Sequence, residues 1–274
     1  FLAKEDGQNS VTYQVAASDT PGVLHIPART RRTYVLSDLV GADSHGSYAA
    51  VFQSMTEGRQ IYVSRSVFWG ATLEGSHVEA ATDAPAGAWF FAEGVRFENG
   101  SDFFSTFYLL FNPTSTDATV YATYYLDDQT IVTKEYQVGA LRRRTISVNG
   151  ELPELMGRSF SARFDSTTPL VAERAIYFGR NGSWIGGHAS MGIPTLSVAG
   201  VPPLPTRYYF AEGVAAPGYD TYYLLVNPHP WAIEVTARYL VPDGTLTRFY
   251  TVDANSRKTL YLNDPAWGGW GNVG

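Results

Sequence analysis

A set of residue groups recurs in fixed order along the chain, and it sets the size of the folding unit. Phe91-Ala92-Glu93-Gly94 leads to Thr106-Phe107-Tyr108-Leu109-Leu110-Phe111-Asn112-Pro113, then to Ala140 with Arg143 and Thr145. Glu173-Arg174-Ala175-Ile176-Tyr177-Phe178 and Gly186-Gly187-His188 complete the order. The opening half recurs downstream as Phe210-Ala211-Glu212-Gly213 and Thr221-Tyr222-Tyr223-Leu224-Leu225-Val226-Asn227-Pro228. The closing half recurs upstream, where Ala28, Arg31 and Thr33 match Ala140, Arg143 and Thr145, and Ser64-Arg65-Ser66-Val67-Phe68-Trp69 matches the Glu173 stretch. The chain therefore reads as a closing part over 1–88, a complete unit over 89–207 and an opening part over 208–274.

A unit of about 115 residues is the size of an ordinary sandwich domain. Within it, hydrophobic residues alternate with polar ones at a period of two, the mark of a strand with one face buried. Val120, Ala122, Tyr124 and Leu126 share one face, and their repeat mates Val235, Ala237, Tyr239 and Val241 do the same. Phe160, Ala162 and Phe164 form another such strand, with Tyr48, Ala50 and Phe52 as its upstream counterpart. The alternation predicts strands near 88–93, 104–112, 118–126, 131–138, 143–149, 159–166 and 169–178 of the complete unit. Turn residues such as Asp6-Gly7, Asn99-Gly100, Asn149-Gly150, Asn181-Gly182 and Pro242-Asp243-Gly244 separate such runs. The expected fold is all-β: tandem antiparallel β-sandwich (Ig-like) repeats with about seven strands per complete unit.

The order of Phe-Ala-Glu-Gly, Leu-Leu-x-Asn-Pro, Glu-Arg-Ala-x-Tyr and Gly-Gly-His resembles tandem β-sandwich repeats of unassigned function in bacterial secreted and cell-surface proteins. The resemblance covers nearly the whole chain and implies an extracellular or cell-surface location, with no catalytic residue to carry over. The upstream copy departs from the pattern, with Ser64 in place of the glutamate and extra residues from Ala17 to Leu24.

A net charge of −6 and an isoelectric point near 5.4 lack the basic face of a phosphate-backbone binder, so nucleic acid is not an expected partner. No cysteine is present, which removes disulfides and thiolate metal sites. No apolar run reaches the length of a membrane helix, so no membrane span is expected. The sequence begins with Phe1 rather than Met, as a processed or excerpted chain would.

Residues capable of chemistry are present without the spacing that chemistry needs. His25, His45, His77, His188 and His229 form no His-x-x-x-His pair, so neither a metal nor a cofactor is expected. His77 and His188 follow glycine-rich dipeptides and read as turn histidines bonding backbone carbonyls. Asp43-Ser44-His45 has the letters of a catalytic triad without a nucleophile elbow. Asp127-Asp128 are neighbours in a turn, matched by Asp243, whereas glycoside hydrolysis needs carboxyl groups facing each other across a sugar bond. No enzymatic activity is expected. Arg29, Arg31 and Arg32, then Arg142, Arg143 and Arg144, then Arg257 and Lys258 recur at one place in each copy. They read as charged guards of sheet edges, with a cationic ladder for acidic wall polymers or glycans as the alternative. Among the six tryptophans, Trp267 and Trp270 in Trp267-Gly268-Gly269-Trp270-Gly271 are candidate glycan contacts, because the flanking glycines offer nothing local to bury them.

The leading expectation is a structural subunit of an extracellular fibre or surface layer, with an adhesin or carbohydrate-binding module as the alternative. Each partial unit lacks strands that the complete unit supplies, so copies of the chain are expected to complete one another head to tail by strand complementation, with ends cut from a longer array, or the two halves closing on each other within one chain, as the alternatives. Alternation over Leu170–Phe178 places Arg174 with Leu170, Ala172 and Ile176, and Glu173 with Val171, Ala175 and Tyr177, so one charge must face inward. Glu93 is its expected partner if that charge is Arg174. By the same geometry Glu212 of one copy should meet Arg65 of the next.

Overall fold

The computed structural model describes residues 8–15, 22–40, 46–70, 72–73, 75–195, 203–216, 218–241 and 244–263. The upstream part contains β1 (Gln8–Val15), β2 (Gly22–Pro27), α1 (Leu36–Val40), β3 (Ala50–Ser54), β4 (Ser64–Trp69) and β5 (Gly75–Ala80). The central part contains β6 (Ala86–Phe91), β7 (Val95–Asn99), β8 (Asp102–Asn112), β9 (Ala118–Leu126), β10 (Ile131–Val138), β11 (Arg142–Ser147) and α2 (Val148–Glu151). It continues through a 3-10 turn at Pro153–Leu155 to β12 (Arg158–Arg180), β13 (Ser183–Met191) and β14 (Ile193–Thr195). Downstream lie β15 (Tyr222–Asn227), β16 (Ile233–Val241), β17 (Gly244–Val252) and β18 (Ser256–Tyr261). The protein is all-β, and every strand pairing among the described residues is antiparallel.

The central part is a sandwich built around β12. Its first half pairs with β9 on one edge and β6 on the other, while its second half pairs with β8 and β13. The alternation predicts two strands there, near 159–166 and 169–178. One strand of 23 residues forms instead, because Pro169 falls where the chain leaves the first sheet for the second and its missing donor costs nothing. At that crossing the Trp89 indole Nε1 donates to the Leu170 carbonyl at 2.8 Å.

Along β12, Phe160, Ala162, Phe164, Leu170, Ala172, Arg174 and Ile176 are all buried. Trp89, Phe91, Tyr108 and Tyr124 close over them, with ring centroids of Tyr108 and Phe164 only 4.7 Å apart. Burying such rings contributes about 1.5–3 kcal/mol each relative to leaving them exposed. Three central strands go beyond those predicted by alternation: β7, β13 and β14. β13 contains Gly186-Gly187-His188, so His188 lies on a strand rather than in a turn, and His77 likewise lies on β5. Gly186 is required because a Cβ there would stand 2.2 Å from the Phe178 ring.

The partial units repeat these pairings residue for residue. β15 and β18 place Asn227 opposite Ser256 as β8 and β11 place Asn112 opposite Arg142. β16 and β17 place Ile233 opposite Val252 as β9 and β10 place Ala118 opposite Val138. Upstream, β4 and β5 place Arg65 opposite Glu79 as β12 and β13 place Arg174 opposite Ser190.

Candidate assembly sites

Asn112 closes the end of β8. Its side-chain Nδ2 donates to the carbonyls of Thr116, Val138 and Gly139 at 2.7, 3.2 and 3.2 Å, and its Oδ1 accepts from the Thr114 N–H at 3.0 Å. Asn227 does the same to Trp231, Val252 and Asp253 at 2.8, 3.1 and 2.8 Å, and accepts from the His229 N–H at 3.0 Å. Both asparagines are fully buried, so these bonds satisfy polar groups that water cannot reach. The opening motif is held just as locally. Thr106 Oγ1 donates to the Val95 carbonyl and accepts from its N–H, and Thr221 repeats both bonds with Val214. The arginine shared by all three copies bonds the threonine two residues on: Arg31 to Thr33 at 3.4 Å, Arg143 to Thr145 at 2.6 Å and Arg257 to Thr259 at 2.8 Å.

The inward charge of β12 is Arg174. Its Nη2 lies 2.8 Å from Glu93 Oε2, and its Nη1 donates to the Glu93 carbonyl at 2.9 Å. A guanidinium has no acceptor, so its 3.2 Å contact with His188 Nδ1 fixes that nitrogen as the acceptor and leaves the imidazole proton on Nε2. His188 Nε2 is 3.7 Å from Glu93 Oε2. Burial lowers the His188 pKa; the Arg174 charge adds to the lowering and Glu93 opposes it.

Arg65 already has a carboxylate beside it. Its Nη1 lies 2.8 Å from Glu173 Oε2 on the outer face of β12, a partner that alternation placed on that face without pairing. Beside this bridge, His77 Nε2 is 3.1 Å from the Tyr177 hydroxyl, and the Trp69 ring meets Tyr177 edge-on at 5.1 Å. The β4–β5 hairpin thus rests on the central sandwich. Burial, then the Arg65 charge, lower the His77 pKa. Arg65 keeps 45% of its side chain exposed, whereas Glu173 keeps 17%.

Glu212 is exposed, and no ion pair to it occurs among the described residues. The residues before it differ sharply from their central mates. Trp89, Phe90 and Phe91 are 0%, 3% and 3% exposed, while Tyr208, Tyr209 and Phe210 are 53%, 81% and 72% exposed. The cause is topological. β6 pairs with β12, and among the described residues no strand of the β12 kind lies downstream to pair with 208–210, with the open edge of β15 or with that of β16.

The recurring cations differ in exposure. Arg31 is exposed, Arg143 is half-buried and Arg257 is buried, where the charges of Asp127 and Glu93 partly offset the lowering of its pKa by burial. Arg144, on the edge strand β11, stands 4.8 Å over the Tyr136 ring of β10. Asp127 and Asp128 both bond Arg158 at the β9–β10 turn, at 3.3 and 2.6 Å. Among the described residues no cluster of three or more metal-ligating side chains occurs. Asp6, Asp43, Ser44, His45, Asp243, Trp267 and Trp270 lie outside the described residues.

No protein-family model and no curated protein matches the chain. Among solved structures it is similar to the crystal structure of Thermotoga maritima 1070, at 16% identity and a TM-score of 0.38 over 42% of this chain and 98% of that one. It is also similar to the Anabaena sensory rhodopsin transducer, at 22% identity and a TM-score of 0.30 over 33% of this chain and 86% of that one. Likenesses this loose carry no argument about function.

Proposed function

We propose that the chain is a structural segment of an extracellular fibre or surface layer, joined to further copies head to tail by strand complementation between partial repeats. The observation that carries this reading is the exposure of Tyr208, Tyr209 and Phe210 beside the unpaired edges of β15 and β16. Three adjacent aromatic residues exposed next to open strand edges form a template for another strand. The complementary edges are upstream, where among the described residues β3 and β4 lack the neighbours that β6 and β8 give to β12. A head-to-tail contact repeats from copy to copy, and where its rotation does not close a ring it produces filaments. Sedimentation velocity and electron microscopy test it. A concentration-dependent series of oligomers and filaments is expected, with Phe210→Lys held as monomer; a compact monomer at every concentration overturns the reading.

A second reading, glycan binding, has support from Trp231, which is 61% exposed and stacked on His229 with ring centroids 5.2 Å apart. Exposed flat rings suit sugar faces. Signal on a polysaccharide array that is lost in Trp231→Ala would favour it over the structural role.

A further inference from the structure

Two joints hold the three parts of the chain to one another. At the first, the β4–β5 hairpin lies against β12 and β13 through the Arg65–Glu173 bridge at 2.8 Å, the His77–Tyr177 contact at 3.1 Å and the edge-on meeting of Trp69 with Tyr177. At the second, β18 begins against the end of β9, where Ser256 Oγ donates to the Asp127 carbonyl at 3.3 Å. Ser256 and Arg257 are 1% and 5% exposed there, although β15–β18 is a sheet of two strands.

The repeat-matched arginines of β11 and β18 take part in both joints. Burial lowers the pKa of Arg143; Glu173 opposes this, and the charge of Arg65, from the preceding part, adds to it. Burial also lowers that of Arg257, and the carboxylates that oppose it, Asp127 and Glu93, both belong to the preceding part. Glu93 in turn holds Arg174, the repeat mate of Arg65, at 2.8 Å. Each joint therefore gathers one glutamate with two arginines, one arginine from either side. A carboxylate has lone pairs enough for two guanidinium groups, and a buried guanidinium needs such a partner.

We propose that neighbouring units are locked at a fixed angle by one repeated arrangement, a glutamate shared by two arginines from opposite sides of the joint: Glu173 between Arg65 and Arg143, and Glu93 between Arg174 and Arg257. The partner of this surface is a neighbouring unit of the same kind. Units in one chain ordinarily move against each other unless their interface is large and apolar. Here shared charges supply what a small interface lacks, and a joint repeated from unit to unit stiffens the stack into a rod. The inference goes beyond the head-to-tail reading and does not rest on it, because both joints lie within one chain.

Spin-label pairs report each joint in the full chain, which has no cysteine of its own. Val78→Cys/Tyr121→Cys spans the first joint and Tyr121→Cys/Leu240→Cys the second, at exposed positions of β5, β9 and β16. In dilute solution both pairs should give one narrow distance distribution. Arg143→Met should at least double the width for the first pair and leave the second unchanged, and Arg257→Met should do the reverse. Each substitution leaves the glutamate its other arginine, so the units themselves stay folded. If hydrogen exchange shows β15–β18 loosened in Arg257→Met, the second joint is read from Asp127→Lys, which lies outside those strands and should widen the same distance. Broad distributions in the parent chain, or narrow ones that these substitutions leave unchanged, overturn the shared-glutamate joint. Either result leaves the joining of separate copies untouched, since dilution keeps them apart.

Discussion

Arg174 meets Glu93 at 2.8 Å with unequal burial: the arginine side chain is 6% exposed and the glutamate 32%. The two halves of the pair are therefore unequal in what their loss leaves behind. Glu93→Ala strands a buried guanidinium, whereas Arg174→Met leaves a carboxylate that water can reach. Removing one partner of a buried pair costs about 3–5 kcal/mol. Glu93→Ala should approach the lower end of that range by urea denaturation and Arg174→Met should fall clearly below it. The reverse order would show that the burial asymmetry does not govern the pair.

Acid should weaken the fold through His188 and His77. Each has a pKa lowered from the ordinary value of 6.5, chiefly by burial, so the unfolded chain binds more protons than the folded one below that value. Their contribution is fully present above about pH 6.5 and is lost as pH falls through the folded pKa values. At His188 the added proton would sit on Nδ1, facing Arg174. Thermal melts should show the midpoint falling from pH 7 to pH 5, and His188→Gln should flatten part of that slope. A His188→Gln profile parallel to the parent would exclude His188 as a source.

Asn112 and Asn227 should be the least replaceable polar residues of their units. Removing either side chain takes the donor from the buried carbonyl of Val138 or Val252 and from two part-buried carbonyls beside it, and an unsatisfied buried group costs about 1–3 kcal/mol. Asn112→Ala should lower stability by about 1–3 kcal/mol, and Asn112→Asp by more, because a carboxylate would face those carbonyls. Urea denaturation followed by tryptophan fluorescence measures both, and a loss under about 1 kcal/mol would mean that water fills the place.

Strand faces were legible in the sequence wherever the alternation ran unbroken. Phe160, Ala162 and Phe164 point inward as a period of two requires, and the same parity places Arg174 inward and Glu173 outward. Continuity was not legible at Pro169, because a proline that breaks a ladder and one that sits where the strand changes sheets look alike. The second halves of pairs were also hidden. Glu173 reaches Arg65 only because the upstream hairpin rests on the outer face of β12, a tertiary placement that spacing does not encode. Asn112 and Asn227 did leave a signal: an asparagine before proline at the end of an apolar strand, repeated in both copies. The three carbonyls it serves lie on a neighbouring loop and strand end, which only the fold brings together.

The last prediction concerns Glu212 and Arg65. Thr221 holds Val214 as Thr106 holds Val95, so Glu212 stands relative to its own unit as Glu93 does to its unit, but without an arginine beside it among the described residues. Arg65 corresponds to Arg174, pairs with Glu173, lies across the β4–β5 ladder from Glu79 and keeps 45% of its side chain exposed. When copies join, Glu212 should reach the exposed side of Arg65. Glu212→Arg should therefore abolish filaments while leaving the melting temperature of the monomer unchanged, since an exposed side chain without an ion pair contributes little to stability. Rescue needs two further changes. Arg65→Glu alone would set a second carboxylate against Glu173, so Arg65→Glu must be combined with Glu173→Gln to remove that repulsion. Filaments counted by electron microscopy should return in the triple variant. Filaments that persist in Glu212→Arg, or that stay absent in the triple variant while its monomer remains folded, would remove the pairing.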